Sequence, residues 1–130
     1  MGYVEDIYLE LYSLLDTNTS GINIYAPNNT ENIEFPALII NVPETTKMRY
    51  TMGSSPIHDK GGTVDIEVLS DDIAEHLQTI DSVQTALTNN WSSLSVQNPS
   101  IGSSTGAQVE LNGKIVFLKT MPISFVKKND

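Results

Sequence analysis

Apolar positions along this chain follow two spacings. In "YVEDIYLELYSLLD", Val4, Ile7, Tyr8, Leu11, Leu14 and Leu15 recur every three or four residues, which predicts a helix with one apolar stripe. Glu5 and Asp6 sit near its start, where the helix dipole favours acids. "DTNTSG" stops it. "INIYAP" alternates and predicts a short strand ended by Pro27, and "NNTENIE" is a polar loop. "FPALIINV" predicts a strand buried on both faces, with Pro36 at its start, where a ladder donor is dispensable. In "TVDIEVLS", Val64, Ile66 and Val68 alternate with acids, the pattern of a half-buried strand.

A second helix follows. Asp72 and Glu75 fit a capping box, and Ile73, Leu77, Ile80, Val83 and Leu87 form the expected buried stripe. "NNW" ends it, "SLSV" suggests a short strand, and "QNPSIGSSTG" a mobile loop. "AQVEL" and "KIVFLKTMPISFV" flank Asn112-Gly113, a strong two-residue hairpin signal that sets Leu111 against Lys114, Val109 against Val116 and Ala107 against Leu118. Both faces of the last strand are apolar. One serves the helices, and the other is available to a second subunit or to unseen packing. The whole reads as a single α+β domain over 1–130: one mostly antiparallel sheet, two amphipathic helices on one face and a long hairpin arm.

That arm is "KMRYTMGSSPIHDKGG", residues 47–62. An antiparallel hairpin between its flanking strands needs a loop of about 2–5 residues, and longer connections tend to be functional or disordered. Met48, Tyr50, Met52 and Ile57 are interleaved with Lys47, Arg49 and Thr51, an extended ribbon with an apolar edge. Arg, Tyr and Met favour interface centres. The arm either folds back on its own domain or protrudes to dock on a neighbour. For docking, the favoured reading, the expected contact residues are Lys47, Met48, Arg49, Tyr50, Met52, Ile57 and Lys60 of the arm, with Lys114, Phe117 and Lys119 of the last strand.

Charge sharpens this reading. The 130 residues carry a net charge of −9, with acids and bases in separate blocks. Residues 1–46 and 61–113 each hold seven acids and no Lys or Arg; the bases lie in the arm and near the C-terminus. Such patches set register and partner choice where they meet. The acidic balance argues against DNA wrapping, which needs a basic footprint. No apolar run approaches the ~18 residues of a membrane span, and "MGYVEDIY" is unlike a secretory signal, so synthesis in the cytoplasm is expected. With no cysteine, there are no disulfides or thiolate metal ligands.

Candidate chemistry is sparse. "GSSTG", Gly102–Gly106, matches a nucleophile elbow around Ser104, but a hairpin rather than a helix follows and no His lies beyond His76. His58-Asp59 and the Asp72/His76 pair lack further ligands on rigid elements, and Asp72 reads better as a cap. No catalytic residue, metal or cofactor is expected.

The element order resembles the tail terminator or tail-completion (neck) proteins of long-tailed bacteriophages. The resemblance rests on the N-terminal amphipathic helix, "FPALIINV", the arm returning in "TVDIEVLSDD", the helix "IAEHLQTIDSVQTAL" directly after it, and the closing hairpin. It spans most of the chain. It implies a structural virion protein in the tail or neck: a homo-oligomeric ring of about six copies whose head-to-tail contacts pair different patches. The ring would cap the tail tube protein on one face and meet a head-completion or connector protein on the other. DNA would pass through its negative lumen without specific binding. Related alternatives are a major tail-tube or other head–tail connector subunit. A different class is a small-molecule-binding or regulatory α+β module, which needs a well-formed pocket.

Overall fold

The computed structural model describes residues 3–27, 33–52, 55–94, 96–111 and 113–127, of which 3–5, 45–52, 55–60, 97–98, 111 and 126–127 are described through the backbone alone. The elements are α1 (Tyr3–Asn18), β1 (Asn23–Tyr25), β2 (Ala37–Ile40), β3 (Glu44–Met52), β4 (Ser55–Ser70), α2 (Ile73–Asn89), β5 (Val96–Ile101), β6 (Thr105–Leu111) and β7 (Lys114–Lys127), with a 3-10 turn at Trp91–Ser93. The chain is α+β, one mostly antiparallel sheet with two helices on one face and a hairpin arm.

Two long strands make the spine. β4 and β7 pair antiparallel from Gly61↔Val126 to Ser70↔Phe117. On the outer edge of β4, β2 and β3 lie end to end: Ile40 pairs with Ile66, and Glu44 with Thr63. Three residues, Asn41 to Pro43, therefore oppose two, as in a β-bulge. Pro43 has no N–H to donate, while Asn41 holds the junction by donating from its backbone N and its Nδ2 to Asp65 O, at 3.0 and 3.1 Å. On the outer edge of β7, β5 and β6 lie end to end in the same way. β1 adds a short parallel strand beyond β2.

The main core lies between the helices and the sheet. Ile7, Leu11, Leu14 and Leu15 of α1 meet Leu38, Ile40, Val64, Ile66, Val68, Met121, Ile123 and Phe125, all buried. α1 ends where Asn18 Nδ2 donates to Leu14 O at 2.8 Å and Thr19 donates to Leu15 O from both Oγ1, at 2.6 Å, and its backbone N, at 3.1 Å. Gly21 then turns with φ of 75°. A smaller cluster covers the other sheet face: Ala37, Ile39, Leu69 and Val116, with Tyr25, Ile33, Phe35, Val109 and Leu118 packed on it. β2 is thus buried on both faces, as its unbroken apolar run predicts. The same cluster decides between the two alternatives open for the last strand. The chain itself covers Val116 and Leu118, so that face of β7 is not left bare at this end.

Two corrections concern the second half. "QNPSIGSSTG" is not one mobile loop, because Val96–Ile101 forms β5 and pairs with β7 at Val96↔Lys127, Gln97↔Val126, Ser100↔Ser124 and Ile101↔Ile123. The ladder is irregular between Gln97 and Ser100, where Pro99 lacks a donor, which only an edge strand tolerates. The second correction is the buried face of α2. It carries His76, Thr79, Val83, Ala86 and Leu87, whereas Ile73 and Leu77 are 51% and 60% exposed. Packing of the second half of the helix fixes its rotation, and the stripe drifts off the core toward the N-terminus. Capping holds in altered form. The Asp72 carboxylate accepts from Glu75 N at 3.3 Å, but the Glu75 carboxylate accepts from Ser70 Oγ at 2.8 Å, and Ser70 Oγ accepts from Asp72 N at 3.2 Å.

Candidate assembly surfaces

The arm is a two-stranded ribbon. β3 pairs with the first half of β4 in unbroken register from Glu44↔Thr63 to Met52↔Ser55. The β7 ladder along β4 stops at Gly61, so 47–52 and 55–60 pair only with each other among the described residues. Six residues of strand make this free ribbon about 20 Å long. Cross-strand partners share a face. Lys47↔Lys60 and Arg49↔His58 therefore place four basic positions on one face, and Met48↔Asp59, Tyr50↔Ile57 and Met52↔Ser55 a mainly apolar set on the other. The side chains of these expected contact residues, and the arm tip at 53–54, lie outside the described ones.

At the root of the ribbon, Gly62 is required by close approach. A Cβ there would stand 2.7 Å from Phe125 Cε2 and 2.8 Å from Glu44 O. The Phe125 ring crosses the strand at its own ladder partner, Gly62↔Phe125, and joins the core.

A second surface lies at the opposite end of the sheet. α1 sits over β2, and α2 over β4 and β7. Between the two helices is a polar cleft of about 380 Å³, lined in part by Asn18, Thr19, Ser82, Ala86 and Asn89. It fixes the side of α2 that faces α1. At about 100° per residue, Ile73, Leu77 and Ile80 fall on the other flank, toward β7 and β6. There the helix-side positions of the β6–β7 hairpin are Glu110 and Ile115, Gln108 and Phe117, and Lys119, by their register. Ile115 is 62% exposed, and Phe117 and Lys119 are half-buried. Exposed apolar groups therefore border the seam between α2 and the β6–β7 hairpin, Ile73 and Leu77 on the helix and Ile115 with the half-buried Phe117 on the strand, and we term this seam the groove.

His76 lies under this groove. It is 5% exposed, its ring centroid is 6.0 Å from that of Phe117, and its Nδ1 has no hydrogen-bond partner. Burial, then the nearby Lys119 ammonium, holds its pKa below the usual imidazole value.

The expected contact residues thus divide among three places. Phe117 and Lys119 line the groove, and Lys114 is exposed beside the β6–β7 turn, on the opposite sheet face; the arm positions are at the far end of β4. Sequence reasoning missed Ile73, Leu77 and Ile115 as surface groups. The four-residue step from Ile73 to Leu77 rotates the stripe away from the later Val83 and Leu87, a signal visible only once the core face is known.

Other chemistry finds little footing among the described residues. Asp72 is occupied as the helix cap, and no three His, Asp or Glu gather as metal ligands. "GSSTG" joins two strands, β5 and β6. The polar cleft holds hydroxyls and amides, with Asp81 as its one titratable side chain. No described helix is long and apolar enough to cross a membrane.

The fold has a known counterpart. Over 97% of its length, the chain is similar to 95% of a chain in the structure titled "Virion of native gene transfer agent (GTA) particle", at 10% identity and a TM-score of 0.51. At that identity the likeness is one of fold. No family profile and no curated protein matches the sequence.

Proposed function

We propose that this chain is a structural protein of a phage-type virion, a tail terminator or neck subunit without enzymatic activity. It would act as a homo-oligomeric ring that caps the tail tube and joins it to the head connector. The observation that carries this reading is the end-to-end fold likeness to a chain of a gene transfer agent virion, over nearly the full length of both chains. The physical features agree with it. A ribbon that carries Lys47, Arg49 and Lys60 extends from an acidic subunit, and its register sets Lys47 opposite Lys60. Like charges directly opposite are unfavourable by about 0.2–1 kcal/mol in isolation, and an acidic partner surface removes that cost. Neither ladder edge of the ribbon is paired beyond Gly61 among the described residues, which suits docking on another subunit.

Light scattering coupled to size-exclusion chromatography tests the reading. A discrete ring-sized oligomer is expected. Indefinite filaments would favour a tube subunit, and a monomer at all concentrations would overturn assembly altogether. In the variant Lys47→Glu/Arg49→Glu the oligomer should be lost. If those side chains serve assembly alone, the monomer should melt within about 1–3 °C of the parent, the shift expected for about 0.5 kcal/mol.

A further inference from the structure

The arm and the groove sit at opposite ends of the same strands, which raises the question of what fills the groove. Three of the six large apolar side chains that are most exposed among the described residues, Ile73, Leu77 and Ile115, converge there with Phe117. Its surroundings are acidic: Asp71 and Asp72 at the head of α2 and Glu110 on β6, all exposed. Lys119 is the one base on the described walls. The arm is largely the complement, with Met48, Tyr50, Met52 and Ile57, joined by Ser55 and Asp59, at the positions of one face and Lys47, Arg49, His58 and Lys60 at those of the other.

The chain's own arm cannot reach. From Gly61 to Ser70, β4 rises about 30 Å, and the ribbon is only about 20 Å long. We propose that the groove between α2 and the β6–β7 hairpin is the seat of the arm of a second copy of this chain. The inference rests on the assembly reading above and makes it specific. One end of each subunit inserts into the opposite end of the next, so every contact is heterologous and leaves a free arm and a free groove until a ring closes. Apolar contact from Tyr50 and Ile57 with the groove walls supplies affinity, and the basic face meeting the acidic rim sets direction.

The absence of cysteine makes cross-linking clean. Two full-length single-cysteine variants, Tyr50→Cys and Leu77→Cys, are mixed and oxidised, with Ile115→Cys as a second reporter on the opposite wall. The expected result is a disulfide-linked dimer of one variant with the other, formed at least several-fold faster than between Tyr50→Cys and Val42→Cys. Val42 is 65% exposed but outside the groove, at the junction of β2 and β3. If light scattering shows an oligomer but neither groove reporter cross-links to the arm faster than the Val42→Cys control, the groove is not the seat, and the ring reading stands. If the chain stays monomeric and no cross-link forms, both are overturned.

Discussion

Leu77 and Leu87 look equivalent in sequence, and the fold separates them. Both belong to the same apolar stripe of α2, yet Leu87 is fully buried and Leu77 is mostly exposed. Burying a whole leucine side chain is worth about 1.5–3 kcal/mol, and folding hides only two fifths of Leu77. The slightly better helix propensity of alanine offsets part of that. Leu77→Ala should therefore cost about 0.5 kcal/mol. Leu87→Ala removes atoms from a closed core and leaves a cavity between α2 and the sheet, which typically costs about 3–5 kcal/mol. Urea unfolding, followed by far-ultraviolet circular dichroism at concentrations too low for association, reads the difference. With a slope of about 1–3 kcal/mol/M, the midpoint should fall by about 1–5 M for Leu87→Ala and by only a few tenths for Leu77→Ala. Equal losses would mean that α2 is rotated to bury its whole stripe. The groove would then not exist as described.

Two more predictions follow from the described packing. Gly62→Ala should destabilise by about 1–3 kcal/mol in the same unfolding assay, because the new methyl meets the Phe125 ring and the Glu44 carbonyl at under 3 Å; a gain in stability, as when a glycine is merely too flexible, would refute the close approach. His76 is held neutral by burial and by Lys119, so its folded pKa lies below the unfolded value of about 6.5. The unfolded chain takes up this proton first, so the stability His76 contributes is present above about pH 6.5 and is lost as pH falls through the folded pKa. His76→Leu should flatten that part of the urea midpoint–pH profile, and an unchanged slope would place the titration elsewhere.

Much of the fold was legible because local signals agreed with one another. Asn112-Gly113 fixed the β6–β7 register, and all three predicted pairs, from Leu111↔Lys114 to Ala107↔Leu118, are found. The unbroken apolar run of β2 announced burial on two faces. β5 was hidden because its residues "VQNPSI" carry a proline and polar groups, and it is held as a strand only by the β7 edge it completes. The rotation of α2 was hidden for a related reason. Apolar periodicity names a stripe, but tertiary contacts decide which part of it is covered, and His76 and Thr79 took places that Ile73 and Leu77 seemed to claim. The arm was legible as an interruption, but its two faces were not. They follow from pairing Lys47 with Lys60, which sequence alone leaves open.

The continuity of β4 has a mechanical consequence. The strand that forms half of the ribbon runs without interruption into the middle of the sheet, where ten consecutive residues, Gly61 to Ser70, are laddered to β7. Tension applied to the ribbon along its axis would load those ten pairs in shear, all at once, rather than peeling them apart singly. A tether built this way can be tugged hard before the body that holds it gives way.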